Sequence, residues 1–551
     1  MEINKESLRN RIERLILDFV AVKTDTNSVH ENNIKDFFGN WFDSVPYFAA
    51  NKDYCGLYDI PNDPLNRVVP WALVKGCDGS LMDTIILIHH CDTVNTEDYK
   101  NLENMALDPL KLTQALRRGA MEVPTHVQKD AACDNWLFGR GVADMKGGGA
   151  IHMALLEEYA AQALNGGFKG NVLLLSLVDE ENLSAGMIGA VHLLKQLKDK
   201  FGLNYVLTID SEAHEREDEN LPIYYDGSIG KAMPVVYVRG VLAHSGMIYK
   251  GLNPINLLAE IIRKTELNPD FIEKFGNSVC PPPTWLYHKD SKKVYDVSLP
   301  DAALGYMSVL TLSKTPKEFM DTIHDICTDA FEQVIADMRR SFQHWVDLND
   351  GKVEAQPAWS VNVKTFAQLH TEAVRDSGDG FLQVFAQINE EIRKKLLADS
   401  DFFVIDGINE VIKTTLSFVK DKSPIVVLAL SPPYYPAVSN AMLGEKAAKV
   451  NAIVSGLEGC QIKNIYTGIS DLSYSMFTAD DDAISYIEDN MLMWGHSYTI
   501  PIGLIKELST PILNIGPWGK DIHKYTERVF LPDLFYEAPR VTDFVVRKML
   551  S

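Results

Sequence analysis

Two hydrophobic textures alternate along the chain. Continuous apolar runs, as in TIILIHH from Thr84, NVLLLSLVDEE from Asn171 and LNYVLTID from Leu203, are separated by segments with a helical apolar spacing, as in GGAIHMALLEEYAAQAL and AGMIGAVHLLKQLKDKF. Wholly apolar strands with amphipathic helices between them predict βαβ units and a sheet covered on both faces. The opening MEINKESLRNRIERLILDFVAVKT predicts a further amphipathic helix. Near residue 214 the texture changes. A charged connection, AHEREDENLP, leads to a strand in GSIGKAMPVVYVRG, a helix in PINLLAEIIRK, a Pro-rich loop at CPPPTW, a strand in GYMSVLTL and several helices between Pro316 and Lys422. Of these, the stretch near 355–422 is helical and polar. The strand SPIVVLAL closes this middle section. From Pro432 the first texture returns, with a helix in NAMLGEKAAKVNAIV, a short strand in TPILNIG and a closing helix in LPDLFYEAPRVTDFVVRKML. The pattern predicts an α/β domain made of residues 1–213 and 432–551, interrupted by an inserted α+β domain over 214–431.

Composition agrees with two domains and narrows the partners. A chain of 551 residues exceeds the size at which one core stops growing, and 46% hydrophobic with 23% charged residues describes an ordinary globular protein. Lys and Arg number 53 against 75 Asp and Glu, a net charge of −22. That balance argues against nucleic acid, whose binding rests on clustered positive charge. No apolar run reaches the roughly 18 residues of a membrane span, and the first segment lacks the apolar core and cleavage site of a signal peptide. The seven cysteines, at 55, 77, 91, 133, 280, 327 and 460, form no CxxC pair and are expected as buried small hydrophobes in a reducing cytoplasm.

Candidate chemistry lies at the strand ends, where ligands collect in open α/β sheets. His90 and Asp92 follow the first strand, Glu180 and Glu181 follow NVLLLSLVD, Asp210 ends NYVLTID, and His523 lies in GPWGKDIHKYTERV after the last short strand. Asp144 sits in FGRGVADMKGGGA, a Gly-rich turn opening a helix. Converging carboxylates in a poorly hydrated cleft repel one another unless cations intervene. Imidazole with carboxylate oxygen suits zinc, cobalt or manganese, and two such ions about 3.5–4 Å apart around a shared carboxylate form a recurring hydrolytic arrangement. Glu180 and Glu181 face opposite ways along an extended chain, so one ligates while the other handles protons.

HCDTV, GRGVADMKGG, LVDEEN, TIDSEA, GVLAHSG with GLNPI, GISDLSYS and GPWGKDIHKYTE resemble, in order and spacing, the motifs of the M20 family of metallopeptidases and amidohydrolases. The resemblance covers most of residues 1–315 and 424–551. It implies a zinc-peptidase-like catalytic domain, a mixed sheet flanked by helices, interrupted by a lid and dimerisation domain. It further implies two divalent ions, zinc first with cobalt or manganese as alternatives, held by His90, Asp144, Glu181, Asp210 and His523, with Asp144 bridging. Asp92 would orient His90 through its second ring nitrogen, Glu180 would be the general base, and His244 in the inserted domain would swing over the site, supplied in many dimeric relatives by the neighbouring subunit. The implied reaction is hydrolysis of an amide bond by a metal-activated water, on a peptide or N-acyl amino acid, in the setting of arginine or amino-acid catabolism.

Competing readings stand beside these. Glu212 lies two residues beyond Asp210 on the same side of an extended chain and rivals it. His89 points to the opposite face from His90, and Cys91 does so too. Asp92 and Asp144 also suit turn or helix caps, His523 also suits pairing with Glu527, and Asp471 in GISDLSYS suits a structural role. His152 and His192 fall on helices as packing or surface residues. The glycines of GRGVADMKGGG lack the GK[ST] ending of a phosphate loop. The segment 95–135 is longer than the family's usual connection and would border the crevice. Arg239 and Lys250 are available as cations for a substrate carboxylate. A catalytically silent binding or regulatory protein that keeps the fold is the alternative to an enzyme.

Overall fold

The structure, a computed structural model, describes residues 3–77, 81–216, 218, 220–351, 355–398 and 402–551. Residues 217 and 219 of the charged connection and 399–401 of the polar helical stretch lie outside the described residues. The first domain is built on an eight-stranded sheet. Its order is Cys55–Asp59, Val68–Lys75, Asn171–Leu177, Asp83–His90, Asn204–Asp210, Ile512–Asn514, Ile223–Tyr225 and Gln461–Lys463. Asp83–His90 is central and pairs in parallel with Asn171–Leu177 on one side and Asn204–Asp210 on the other. The edge hairpin is antiparallel, so the sheet is mixed.

The continuous apolar runs become strands because both faces are covered. One side of the sheet packs against the helices Lys5–Val20, Lys146–Leu164 and Ala538–Met549, with Phe19, Leu155, Tyr159 and Val545 fully buried beneath them. The other side packs against Ala185–Phe201, through Met187, Ala190 and Leu194. Burial of the larger aliphatic and phenyl side chains among them, such as Phe19, Leu155, Val545, Met187 and Leu194, contributes about 1.5–3 kcal/mol each.

The inserted domain carries a five-stranded sheet of order Thr284–Asp290, Ala302–Thr311, Gly230–Arg239, Ile425–Tyr435 and Val363–Thr365. Helices Pro254–Thr265 and Pro316–Leu348 cover one face, and Phe366–Ala398 with Val404–Phe418 the other. The polar stretch near 355–422 thus holds helices whose buried stripes, including Leu369, Phe381, Ile408 and Ile412, form the second core of this domain.

Particular strands mark where the chain passes from one sheet to the other and back. Ile223–Tyr225 belongs to the large sheet, where it pairs with Gln461–Lys463 and meets Ile512–Asn514 at Asn514 and Tyr225. The passage between sheets therefore falls between residues 225 and 230. The return follows Tyr435, because Ile425–Tyr435 is one strand of the smaller sheet. The expected helix around NAMLGEKAAKVNAIV is divided into a 3-10 segment, Asn440–Ala447, itself kinked at Gly444 with φ of 55°, and an α-helix, Ala448–Ser455. Among the cysteines only Cys91, Cys280 and Cys327 are buried, while Cys77 and Cys133 are exposed, which corrects the uniform expectation of burial. None of the described helices is long and apolar enough to cross a membrane.

Candidate metal centre

Three strand ends and two loops deliver the site. His90 is the last residue of the central strand and is 1% exposed. The Asn171–Leu177 strand beside it leads into the turn carrying Glu180 and Glu181, and Asn204–Asp210 on the other side leads into Ser211 and Glu212. The Gly-rich turn reaches this place because its glycines admit close approach. A Cβ on Gly148 would collide with the Ser211 backbone, and one on Gly516 with the carbonyl of Glu212. These contacts press the start of helix Lys146–Leu164 and the loop before His523 onto the 210–212 turn.

Asp144 lies between the two histidines. One carboxyl oxygen is 2.9 Å from His90 Nε2, and the other is 3.1 Å from His523 Nε2. His523 Nε2 is also 2.9 Å from the carboxylate of Glu181. One ligand atom each of His90, Asp144 and Glu181 fall within 4.8 Å of one another. His90 is fixed from behind: its Nδ1 lies 3.0 Å from the Asp92 carbonyl oxygen and 3.6 Å from the Asp92 carboxylate. That carboxylate accepts the backbone N–H groups of Glu180 and Glu181, each at 3.2 Å. Asp92 thus joins the His90 strand to the acidic turn, and the carbonyl, more than the carboxylate, sets the imidazole's orientation.

Burial and mutual repulsion drive the charges apart. Desolvation pushes the Glu180, Glu212 and Asp471 carboxyls well above the usual range, and it raises Glu181 and, to about 6, Asp210. Burial would raise Asp144 too, but hydrogen bonds from His523 and His90 outweigh it and hold this carboxyl low. Hydrogen bonds with Asp144 and Glu181 push His523 up to about 10. Burial disfavours the charged form of His90, yet its bonds with Asp144 and Asp92 carry its pKa well above 6.5. Two imidazoles surrounded by a surplus of carboxylates, with one carboxylate shared between them, form a donor set that fits a pair of divalent cations, which would replace the protons on the facing ring nitrogens and compensate the negative charge.

The sequence candidates are not all brought together. His90, Asp92, Asp144, Glu181 and His523 are linked by the contacts above. Glu180 is buried beside them, and its carboxyl makes no hydrogen bond or ion pair among the described residues, although its carbonyl oxygen accepts the Tyr435 hydroxyl at 3.2 Å. Asp210 is engaged elsewhere: Ser470 Oγ donates to one carboxyl oxygen at 2.6 Å and the Ser211 N–H to the other at 2.8 Å. Glu212 instead approaches His90 Nε2, at 3.8 Å. His244 is exposed in the inserted domain, where its Nδ1 accepts the Gly246 N–H at 3.1 Å, and it makes no hydrogen bond or ion pair with this cluster among the described residues. Glu527 does not pair with the His523 ring. Its carboxylate accepts the N–H groups of Ala143 and Asp144, at 3.1 and 3.2 Å, and bonds Arg140 at 2.7 Å.

Sequence reasoning missed two groups behind the site, the buried Arg67 and the half-buried Lys231. Arg67 bridges Glu31, Asp63 and Asp179, at 2.9, 2.7 and 2.6 Å, and Asp179 immediately precedes Glu180. No motif announces Arg67; the Asp in LVDEEN was the available signal. Lys231, the second residue of the Gly230–Arg239 strand, pairs with Tyr435, whose hydroxyl reaches the Glu180 carbonyl. Cross-strand partners project to one face, so the Lys231 side chain points toward the same region, and the Glu180 carboxylate acts on it electrostatically. By contrast, Arg239 donates to the backbone carbonyls of Asp421 and Ser423.

Comparison with known proteins supplies an independent line. The model of the family described as peptidase family M20/M25/M40 matches residues 86–486. YqjN of Bacillus subtilis is 30% identical over 549 residues, covering 98% of this chain and 96% of YqjN. Protein RocB of Bacillus subtilis is 29% identical over 548 residues, covering 96% and 93% of the two chains. Among solved structures, the aminopeptidase PepT of Bacillus cereus superposes with a TM-score of 0.51 at 12% identity, covering 98% of this chain and 99% of PepT. The dipeptidase Dug1p of Saccharomyces cerevisiae gives 0.50 at 11% identity, covering 100% and 99%. These last two speak to the fold alone.

Proposed function

The chain belongs to peptidase family M20/M25/M40, and on that premise we propose that it is a dinuclear metal-dependent hydrolase that cleaves an amide bond of a peptide or N-acyl amino acid. The observation that carries this reading is Asp144, whose two oxygens face two histidines from opposite ends of the sequence. His90, Asp144 and Glu212 would hold one cation; Glu181, His523 and Asp144 would hold the other. Glu212 takes the place expected for Asp210, because Ser470 and the Ser211 N–H already satisfy Asp210. Bound there, such ions supply Lewis acidity and lower the pKa of water, with zinc first and cobalt or manganese as alternatives.

The chain's own groups do the rest. Glu180, free of ligand duties, takes the proton of the attacking water and returns it to the leaving nitrogen. Asp92 holds His90 and the Glu180–Glu181 turn in one unit. Lys231, a cation at the root of the inserted domain beside Glu180, attracts a carboxylate of the substrate into a cleft that is otherwise acidic. His244 reaches the site by movement of the inserted domain or from a second copy of the chain. A homodimer is favoured by Leu242, Met247 and Ile248 on one side and Val294, Tyr295 and Val297 on the other, exposed apolar residues on paired segments flanking His244. The motif resemblance makes an arginine-containing amide, in a cytoplasmic setting, the first substrate to examine.

The test is a screen of dipeptides and N-acyl amino acids, arginine-containing ones included, with zinc, cobalt or manganese added and bound metal counted by elemental analysis. Two ions per chain with release of a free amine are expected. Protein that binds no divalent cation, or binds two and cleaves no amide, rejects the enzyme in favour of a silent binding protein.

A further inference from the structure

The segment 95–135 folds into Glu97–Met105, a kinked 3-10 segment, and the helices Pro109–Arg117 and Thr125–Ala132. It does not lie loosely over the crevice. Tyr99, Leu112, Leu116 and Val127 pack with Trp136 and Phe138 into a separate small core, which Trp518 and Phe530 complete from either side of the His523 loop. Three short strands tie the same pieces together, Trp136–Phe138 pairing with Arg528–Phe530 and that strand with Gly519–Lys520.

Polar contacts converge on the loop between these strands. The single carboxylate of Asp130 binds Lys520 at 3.0 Å and Arg528 at 2.8 and 2.9 Å. Arg528 in turn bonds Asp521 in the loop. On the other side of His523, Arg140 binds Asp98 at 3.0 Å and the Asn95 carbonyl at 3.2 Å, and its Nη2 also reaches the His523 carbonyl at 3.4 Å. The loop needs holding: Asp521 and His523 have φ of 54° and 65°, in the left-handed region that non-glycine residues adopt at a cost of about 1–2 kcal/mol each. His523 also lacks the burial that fixes His90, its side chain being 49% exposed.

We propose that the 95–135 segment is a brace for the His523 loop, and that through Asp130 and Asp98 it sets how tightly the Glu181–His523 half of the site holds a divalent cation. Asp130 and Asp98 are positioning residues; neither touches the reacting atoms. The inference rests on the metal-centre reading but not on any particular substrate. Groups that orient metal ligands commonly change metal affinity 10–100-fold when removed, and a loop ligand with an otherwise exposed ring depends on them more than a strand ligand does.

The experiment is metal binding to the full chain, freed of metal and titrated with zinc against a chromophoric chelator, with cobalt absorption as a second readout. Asp130→Asn keeps the shape and removes the charge, Asp130→Ala removes both, and Asp130→Glu tests rescue. The expected result is that the Asn and Ala variants bind the first ion with parental affinity and the second at least tenfold more weakly, with partial recovery in the Glu variant. Parental affinity for both ions in the Asn and Ala variants, with only the melting temperature of the metal-free chain lowered, overturns the brace and leaves a purely structural segment. A parent that binds no cation overturns the metal centre itself, and is a distinct outcome from either.

Discussion

The two halves of the candidate site are built in opposite ways. His90 ends the central strand of an eight-stranded sheet, is 1% exposed and has both ring nitrogens engaged, one with Asp92 and one with Asp144. His523 stands on a loop with left-handed backbone, is half-exposed, and depends on contacts from a separate small core. Flanking strands position the first, as in the general rule for sites at the ends of parallel strands. The second is placed by ion pairs and packing from sequence-distant segments. A rigid half and an adjustable half share one carboxylate, Asp144. The difference teaches that the shared carboxylate is held from both sides, since Glu527, in the same loop as His523, accepts the N–H groups of Ala143 and Asp144, while the start of helix Lys146–Leu164 packs on the 210–212 turn.

The largest effect separates chemistry from both halves. Glu180→Gln should lower turnover about a thousandfold or more, within the range for loss of a general base, while two ions remain bound as counted by elemental analysis. Unchanged turnover would remove Glu180 from the chemistry and reopen the assignment between it and Glu181. The histidines then test the comparison directly. His90→Ala should abolish binding of both ions, because its loss leaves the buried carboxylates of the rigid half uncompensated. His523→Ala should retain one ion, at the His90 side. Equal losses from the two variants, measured by the same zinc titration, would show that the halves do not differ in the way their placement indicates.

Sequence patterns reveal one half more readily than the other for the same reason. An apolar strand ending in HCD declares its own position, because strand period and burial decide which face His90 and His89 take; His89 indeed packs against Phe19 and His152, away from the cluster. The α/β texture likewise reports the large sheet. Spacing could not choose between Asp210 and Glu212, which share a side of the chain. What sets them apart is Ser470, 260 positions away, whose hydroxyl donates to Asp210. The Arg67 and Arg140 networks were equally hidden, since a lone arginine carries no periodic signal and acquires meaning only beside Asp179 or Glu527. The strand Ile223–Tyr225 was not legible either, because three residues are too few to show a pattern.

A smaller effect probes how the rigid half is joined to the acidic turn. Asp92→Asn keeps the size of the side chain but removes the charge facing His90 and weakens acceptance of the Glu180 and Glu181 N–H groups. Zinc affinity at the His90 side should fall about 10–100-fold, with the His523 side less affected. If instead the second, loop-side ion were lost first, Asp92 would be acting mainly through Glu181, and the two halves would be coupled more closely than their separate anchors suggest.

The smallest effect lies behind the rigid half and reads out as stability. Glu31 is fully buried against Arg67, and desolvation, then the charge of Asp92, pushes its carboxyl up to about 8. In the unfolded chain the same group titrates near 4.5. Between these values the folded chain keeps a proton that the unfolded chain has released, so this group's contribution to stability falls as pH rises from about 4.5 to about 8 and is level outside that window. The limiting slope is about 1.4 kcal/mol per pH unit, reduced by sharing of charge with Asp179 and Asp63 around Arg67. Glu31→Gln carries no such proton. Urea unfolding of the metal-free parent and variant at pH 6, 7 and 8 should therefore show the variant gaining on the parent by up to about 1 kcal/mol per unit. His523, half-exposed and raised to about 10, contributes a fall of the same sign in both proteins, so it cancels in the difference. A gap that does not change with pH would mean that Glu31 stays ionised beside Arg67, and that the buried network behind His90 is a charged anchor instead of a protonated one.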